Sequence, residues 1–271
     1  MPITRTAGRP VWHHRTTKEQ WLRWLSLLAT VALFVWCFQV MTKDTIWFFV
    51  QDAPRTAGDI AERMFPPAWS YMDRLWLPLW DTLNMATLGT VLGVAVAVPV
   101  AFFAARNTTP SALILRPIAL FVIVASRSIN SLIWALLLVA IIGPGLLAGI
   151  LAIALRSIGF VGKLLYEAIE EIDESQVEAV RATGASSAQV LDYGIVPQVL
   201  PAFMGISVFR WDINIRESTI LGLVGAGGIG MQLQSSLNML AWPQVTMIFL
   251  CILATVILSE WVSAKVRHAI I

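Results

Sequence analysis

Six stretches of this chain are apolar enough, and nearly all long enough, to cross a lipid bilayer, and no other feature limits its fold as strongly. They are 24–41, 79–105, 113–142, a run opening at 146–162, 201–224 and 245–262. A helix needs about 20 apolar residues to cover the hydrocarbon core. Only 13% of the 271 residues are charged and 57% are apolar, whereas a soluble domain carries about 25% charged residues. Such a chain cannot clothe itself in a wettable surface. The expectation is an all-α, polytopic membrane protein with about six transmembrane helices.

Charge placement orients it. With the N-terminus in the cytoplasm, the inside segments hold Arg5, Arg9, Arg15, Lys18, Arg23, Arg106, Arg116, Arg156, Lys163, Arg181, Lys265 and Arg267. The outside segments hold only Lys43, Arg55, Arg63 and Arg74. That bias follows the positive-inside rule and puts both termini, and the long segment 163–200, in the cytoplasm. The first apolar run is too long for a signal peptide and lacks a small-residue cleavage site, so it reads as an uncleaved anchor. Residues 43–78, polar but rich in aromatics, read as a segment lying at the outer lipid surface. Two regions result: 1–78, with tail, first helix and interfacial segment, and a core of 79–271.

The composition also excludes functions. A net charge of +2 gives nucleic-acid binding no support. Cys37 and Cys251 sit in apolar runs and read as small hydrophobes, with no metal-ligand spacing. His13, His14 and His268 lie near the chain ends, so no histidine is placed for catalysis in the spans. The Gly-x-x-x-x-Gly-Lys-Ser/Thr phosphate loop is absent from the sequence. Gly225, Gly227 and Gly230 match dinucleotide-fingerprint spacing, but that motif needs a strand before it and a soluble βαβ unit around it. Beside a membrane span, together with Gly228, they read as a turn where the backbones of two subunits approach closely.

Two features remain. Residues 167–200 form a polar insert between spans. Glu167, Glu170, Glu171, Asp173 and Glu174 lead it. Ser175 with Glu178, and Ser186 with Gln189, have capping-box spacing, Gly184 can end the first helix, and Gly194 with Pro197 is expected to end the second. The other feature is charge within the spans: Arg127 in the third, and Arg210, Asp212, Arg216 and Glu217 in the fifth. Asp212 and Arg216 are spaced to pair on one helix face, whereas Arg127 and Arg210 have no obvious local carboxylate. Buried charges of this kind usually face a partner or a watery path. The excess of arginine, with Ser126, Ser128, Asn130, Asn214, Ser218 and Thr219 nearby, suits an oxyanion, because guanidinium presents forked donors and stays charged when desolvated.

Glu178, Ala179, Gly184 and Pro197 match the coupling-loop pattern of ATP-binding-cassette importer permeases, although Val180, Gly194 and Val196 depart from it. Residues 127–134 (RSINSLIW), 158–167 (IGFVGKLLYE), 181–185 (RATGA), 196–201 (VPQVLP) and 224–230 (VGAGGIG) widen the likeness. Over roughly 79–265 the chain resembles the phosphonate-transport permease family, whose members carry phosphonate, phosphite or related anions.

The resemblance implies a type I importer permease in the bacterial inner membrane. It implies a second copy as homodimer partner, a cytoplasmic ATPase dimer holding ATP and Mg²⁺, and a periplasmic or lipid-anchored substrate-binding protein. Glu178, Ala179, Arg181, Gly184 and Pro197 would then couple to the ATPase, and Gly225, Gly227, Gly228 and Gly230 would form a gate loop. Arg127, Ser128, Asn130, Arg210, Asn214 and Arg216 would line the path, with Asp212 and Glu217 in structural ion pairs. The alternatives are an importer permease for another small solute and an ion-coupled secondary transporter. An intramembrane enzyme is disfavoured by the missing nucleophile–base set.

Overall fold

The computed structural model describes residues 3–6, 9–12 and 17–270; His13, His14 and Arg15 of the N-terminal lead lie outside them. The chain divides into two units, Met1–Asp59 and Ile60–Ile271.

In the first unit, strands β1 (Ile3–Thr6) and β2 (Arg9–Trp12) pair antiparallel, with Ile3 opposite Trp12, a small addition to an otherwise helical chain. Helix α1 (Thr17–Thr42) contains the expected first span. Its apolar side chains are exposed all round, as a helix clothed in lipid requires. The amphipathic helix α2 (Trp47–Met64) opens here with Trp47, Phe48 and Phe49 exposed.

The second unit contains α3 (Met72–Ala104), α4 (Leu115–Ser128), α5 (Ser131–Ile142), α6 (Leu146–Glu170), α7 (Glu174–Ala182), α8 (Ser187–Val190), α9 (Val196–Leu221), α10 (Gly228–Asn238) and α11 (Trp242–Ile270). Its spine is the pair α3 and α6, which run parallel. Gly89 stands against Ile153 and Gly93 against Ser157: a Cβ on either glycine would come within 2.7 Å and 2.5 Å of those side chains. In lipid no hydrophobic force presses helices together, so small residues four apart let the backbones approach and gain dispersion contacts.

Parallel neighbours require one return crossing between them, and α4 and α5 supply it. The two helices meet at 89° across Ile129 and Asn130, so the third apolar run, 113–142, is one crossing built from two helices. Contacts with α6 show that the pair nevertheless traverses. Arg116, at the start of α4, lies 3.6 Å from Glu170 at the end of α6. Ser126 donates to the Leu155 carbonyl. Ala135 packs with Ile153 and Met85. Gly145, just beyond α5, donates to the Gly225 carbonyl at 3.0 Å. The break is stable because the Asn130 side chain caps α5, accepting from Leu132 N at 3.1 Å.

Helices α9 and α11 complete the unit, giving it five crossings. The expected starts move: α3 begins at Met72 rather than 79 and carries Pro78 within it, and α9 begins at Val196 rather than 201. Pro197 opens α9 instead of ending the helix before it, because a proline at the first turn has no backbone bond to lose. Gly194 likewise ends nothing: it lies in a π-helical turn, Leu191–Ile195, that joins α8 to α9 without interruption.

Candidate translocation path and coupling segment

A polar node crosses the middle of the second unit. Arg210 on α9 is only 1% exposed. Its Nε donates to Ser157 Oγ at 3.0 Å, its Nη2 lies 3.4 Å from Glu217 Oε2, and its guanidinium sits 5.1 Å from the Phe160 ring centre. Asn214 donates to Thr90 Oγ1 at 2.7 Å and to Ser157 Oγ at 3.1 Å, tying α9 to both α3 and α6. Arg210 therefore has a carboxylate after all, seven residues along its own helix. An unpaired arginine at mid-bilayer costs about 3 kcal/mol on insertion scales, so this partnership decides where the side chain goes.

Glu217 serves a second cation. Arg156 Nη1 lies 3.3 Å from Glu217 Oε1, and donates to Asn130 Oδ1 at 3.1 Å and Ser131 Oγ at 3.2 Å. Counted among the inside charges from sequence, Arg156 instead stands ten residues into the 25-residue α6. A lone arginine in the apolar run 146–162 was the signal for it. Asp212 pairs with Arg216 and accepts from Ser259 Oγ at 2.8 Å.

Of the expected path residues, Arg210 and Asn214 are buried in the node, while Arg127, Ser128 and Asn130 are exposed at the α4–α5 break. Ser128 turns its hydroxyl back to the Val124 carbonyl. The Arg127 stem passes so close to Gly159 that a Cβ there would stand 2.8 Å from its Cγ. The Arg216 side chain is 46% exposed yet tied to Asp212.

At the Glu170 end of the bundle, α7 and α8 form an elbow bent at Gly184, whose φ is +81°. Asp173, not Ser175, caps α7: its carboxylate accepts from Ser175 N at 3.0 Å and Ser175 Oγ at 2.7 Å. The Ser175 hydroxyl and then its backbone N–H hold that carboxyl below the usual range. Gln189 reaches back to Ser186 N at 2.8 Å, completing the second capping box. Val177, Val190 and Ile195 pin the elbow to Leu165, Ile169 and Ala101, and Gln198 bonds Asp173 N and the Gly194 carbonyl. Glu178, Ala179, Arg181, Gly184 and Pro197 all face outward, and neither Glu178 nor Arg181 has an ion-pair partner among the described residues. Glu167, Glu170 and Glu171 belong to the end of α6 rather than to the elbow, with Glu170 between Arg106 and Arg116.

At the opposite end, Gly225, Gly227 and Gly228 have positive φ and form the turn from α9 into α10. Within this chain Gly230 packs closely: a Cβ on it would stand 2.0 Å from the Thr219 carbonyl oxygen.

A multi-crossing bundle with a polar centre and an outward-facing helical elbow suits a membrane transport subunit. The chain belongs to the family "Binding-protein-dependent transport system inner membrane component", whose model matches residues 89–268. It is 41% identical to a phosphite transport system permease protein, PtxC, of Stutzerimonas stutzeri, over 91% of this chain and 90% of that one. It is also 41% identical to a phosphate-import permease protein, PhnE, of Mycolicibacterium smegmatis, over 78% of this chain and 40% of that one. The fold is similar to a chain of the MetNI methionine ABC transporter, with TM-score 0.65 and 21% identity, over 75% of this chain and 99% of that one. The chain is thus a multi-pass inner-membrane transport subunit working within a binding-protein-dependent system.

Proposed function

We propose that the chain is the permease of an ATP-driven importer that carries a phosphorus oxyanion, of the phosphite, phosphonate or phosphate class, into the cytoplasm. The elbow of α7 and α8 carries this reading: a cytoplasmic ATPase, itself holding ATP and Mg²⁺, grips the unpaired Glu178 and Arg181. Both termini and the elbow then lie in the cytoplasm, and a periplasmic or lipid-anchored binding protein delivers the anion at the Gly225 end. Two copies enclose the path, with Arg127, Ser128, Asn130, Arg210, Asn214 and Arg216 around its middle and the 225–230 turn as outer gate. ATPase closure pushes the elbows, and the spans exchange inward- and outward-open states. The relatives' names support the anion class, and the arginine-rich centre is compatible with it.

Reconstitution of the permease with its ATPase and binding protein in liposomes tests the proposal. The expected result is ATP-dependent accumulation of phosphite, methylphosphonate or phosphate, abolished by Glu178→Ala. Uptake that persists without the ATPase would make the chain a secondary transporter, and uptake of methionine alone would move it to another solute class.

A further inference from the structure

Beside the α4–α5 break, Glu217 and Arg156 form an arrangement outside the residues placed in the proposed path. Of four arginines at this depth, three (Arg156, Arg210 and Arg216) share two carboxylates, Asp212 and Glu217, and the fourth, Arg127, has no ion pair among the described residues. Arg210 is enclosed, and Arg216 is held by Asp212. Arg156 is different. Its side chain is 30% exposed, and its contacts to Glu217, Asn130 and Ser131 all use Nη1. Nε and Nη2 make no hydrogen bond to any described residue. Those two nitrogens form the side edge of the guanidinium, which matches two oxygens of one anion.

We infer that Arg156 is a transient oxyanion subsite in the path, with Asn130 and Ser131 fixing its inner edge and Glu217 as its counter-ion. This deepens the proposed function and rests on it. The ligand class is a small tetrahedral or pyramidal phosphorus oxyanion. A lipid headgroup is excluded by depth: Arg156 lies about 15 Å and 21 Å along α6 from its two ends at 1.5 Å per residue. The break between α4 and α5 makes the site. The bend brings the Asn130-capped start of α5 beside the guanidinium, where Asn130 Oδ1 and Ser131 Oγ accept from Nη1. Arg127 leaves α4 against Gly159, one turn along α6, and adds a second cation, one with no ion pair among the described residues. Glu217 keeps the subsite weak by sharing its charge between Arg156 and Arg210, since a transported ion must leave as readily as it enters.

The experiment uses the complete reconstituted importer, measuring phosphite uptake and binding-protein-stimulated ATP hydrolysis in parallel. Arg156→Gln is expected to lower uptake per ATP by about tenfold, with stimulated hydrolysis retained. Arg156→Lys, which keeps the charge but loses the fork, is expected to recover part of that loss. Glu217→Gln, which removes the counter-charge and keeps one acceptor oxygen for the two arginines, is expected to lower KM and maximal rate together. If Arg156→Gln fails to assemble, Arg156→Lys decides: uptake about threefold or more below wild type at sub-saturating phosphite supports the subsite, and unchanged uptake overturns it. Wild-type uptake by Arg156→Gln, in an importer shown to carry phosphite, overturns the subsite alone. A wild-type importer that moves no phosphorus oxyanion overturns the proposed function and the subsite with it.

Discussion

The centre of the bundle and the elbow at its Glu170 end treat charge in opposite ways. In the centre, Arg210 is enclosed by Ser157, Glu217 and Phe160. On the elbow, Glu178 and Arg181 face outward with no ion-pair partner among the described residues. Desolvation explains the contrast: a charge within the hydrocarbon layer must be paired, whereas one on a water-facing helix can wait for a partner. Buried charge therefore marks how this fold is held, and exposed charge marks where it is held by something else.

Four substitutions or conditions test that contrast. Glu217→Ala has the largest expected effect, because it leaves two arginines without their carboxylate; it should destabilise the folded permease by about 3 kcal/mol in a thermal unfolding assay in nanodiscs. Were the loss no larger than for a surface residue, the central pairing would carry no weight. Val177→Ala should cost about 1.5 kcal/mol from lost burial, read as faster hydrogen exchange confined to residues 173–198.

Acidification should act on the elbow more gently. The Asp173 carboxyl is depressed by the Ser175 hydroxyl and then its N–H, so its capping contribution is complete above the unfolded value of about 3.9 and fades as pH falls through the lower folded value. The protection factors of the α7 amides, referred to intrinsic exchange at each pH, should thus stay level from neutral pH to about 4 and fall below it; a fall that begins near pH 6 would assign the cap elsewhere. Glu178→Ala should leave unfolding unchanged while uptake collapses, so a clear loss of stability would mean that Glu178 serves the fold.

The same physics sorts what was legible beforehand. Apolar runs identify the spans because the bilayer sets their length, and Ser186 with Gln189 identify a cap because that bond is local. Arg210 with Glu217 is two helical turns apart, too far for the i+4 rule, and its Ser157 partner is on another helix. Arg156 was hidden by a topology count that placed it at the membrane edge. Pro197 and Gly194 read as stops, yet the chain continues through a π-helical turn, because a proline can open a helix as easily as end one. The glycines 225–230 signalled close approach, and within this chain Gly227 stands against Leu146, Gly228 against Thr82, and Gly230 against Thr219 and Gly222.

Coupling to an ATPase requires that the elbow lie on the cytoplasmic side of the membrane and meet that partner there. With Cys37 and Cys251 replaced by serine, Ala179→Cys can be probed in inside-out and right-side-out membrane vesicles with an impermeant thiol reagent. The prediction is labelling only in inside-out vesicles, blocked when the ATPase is bound and replaced by a cross-link to it. Labelling from the right-side-out face, or labelling that bound ATPase leaves unaltered, would contradict the account.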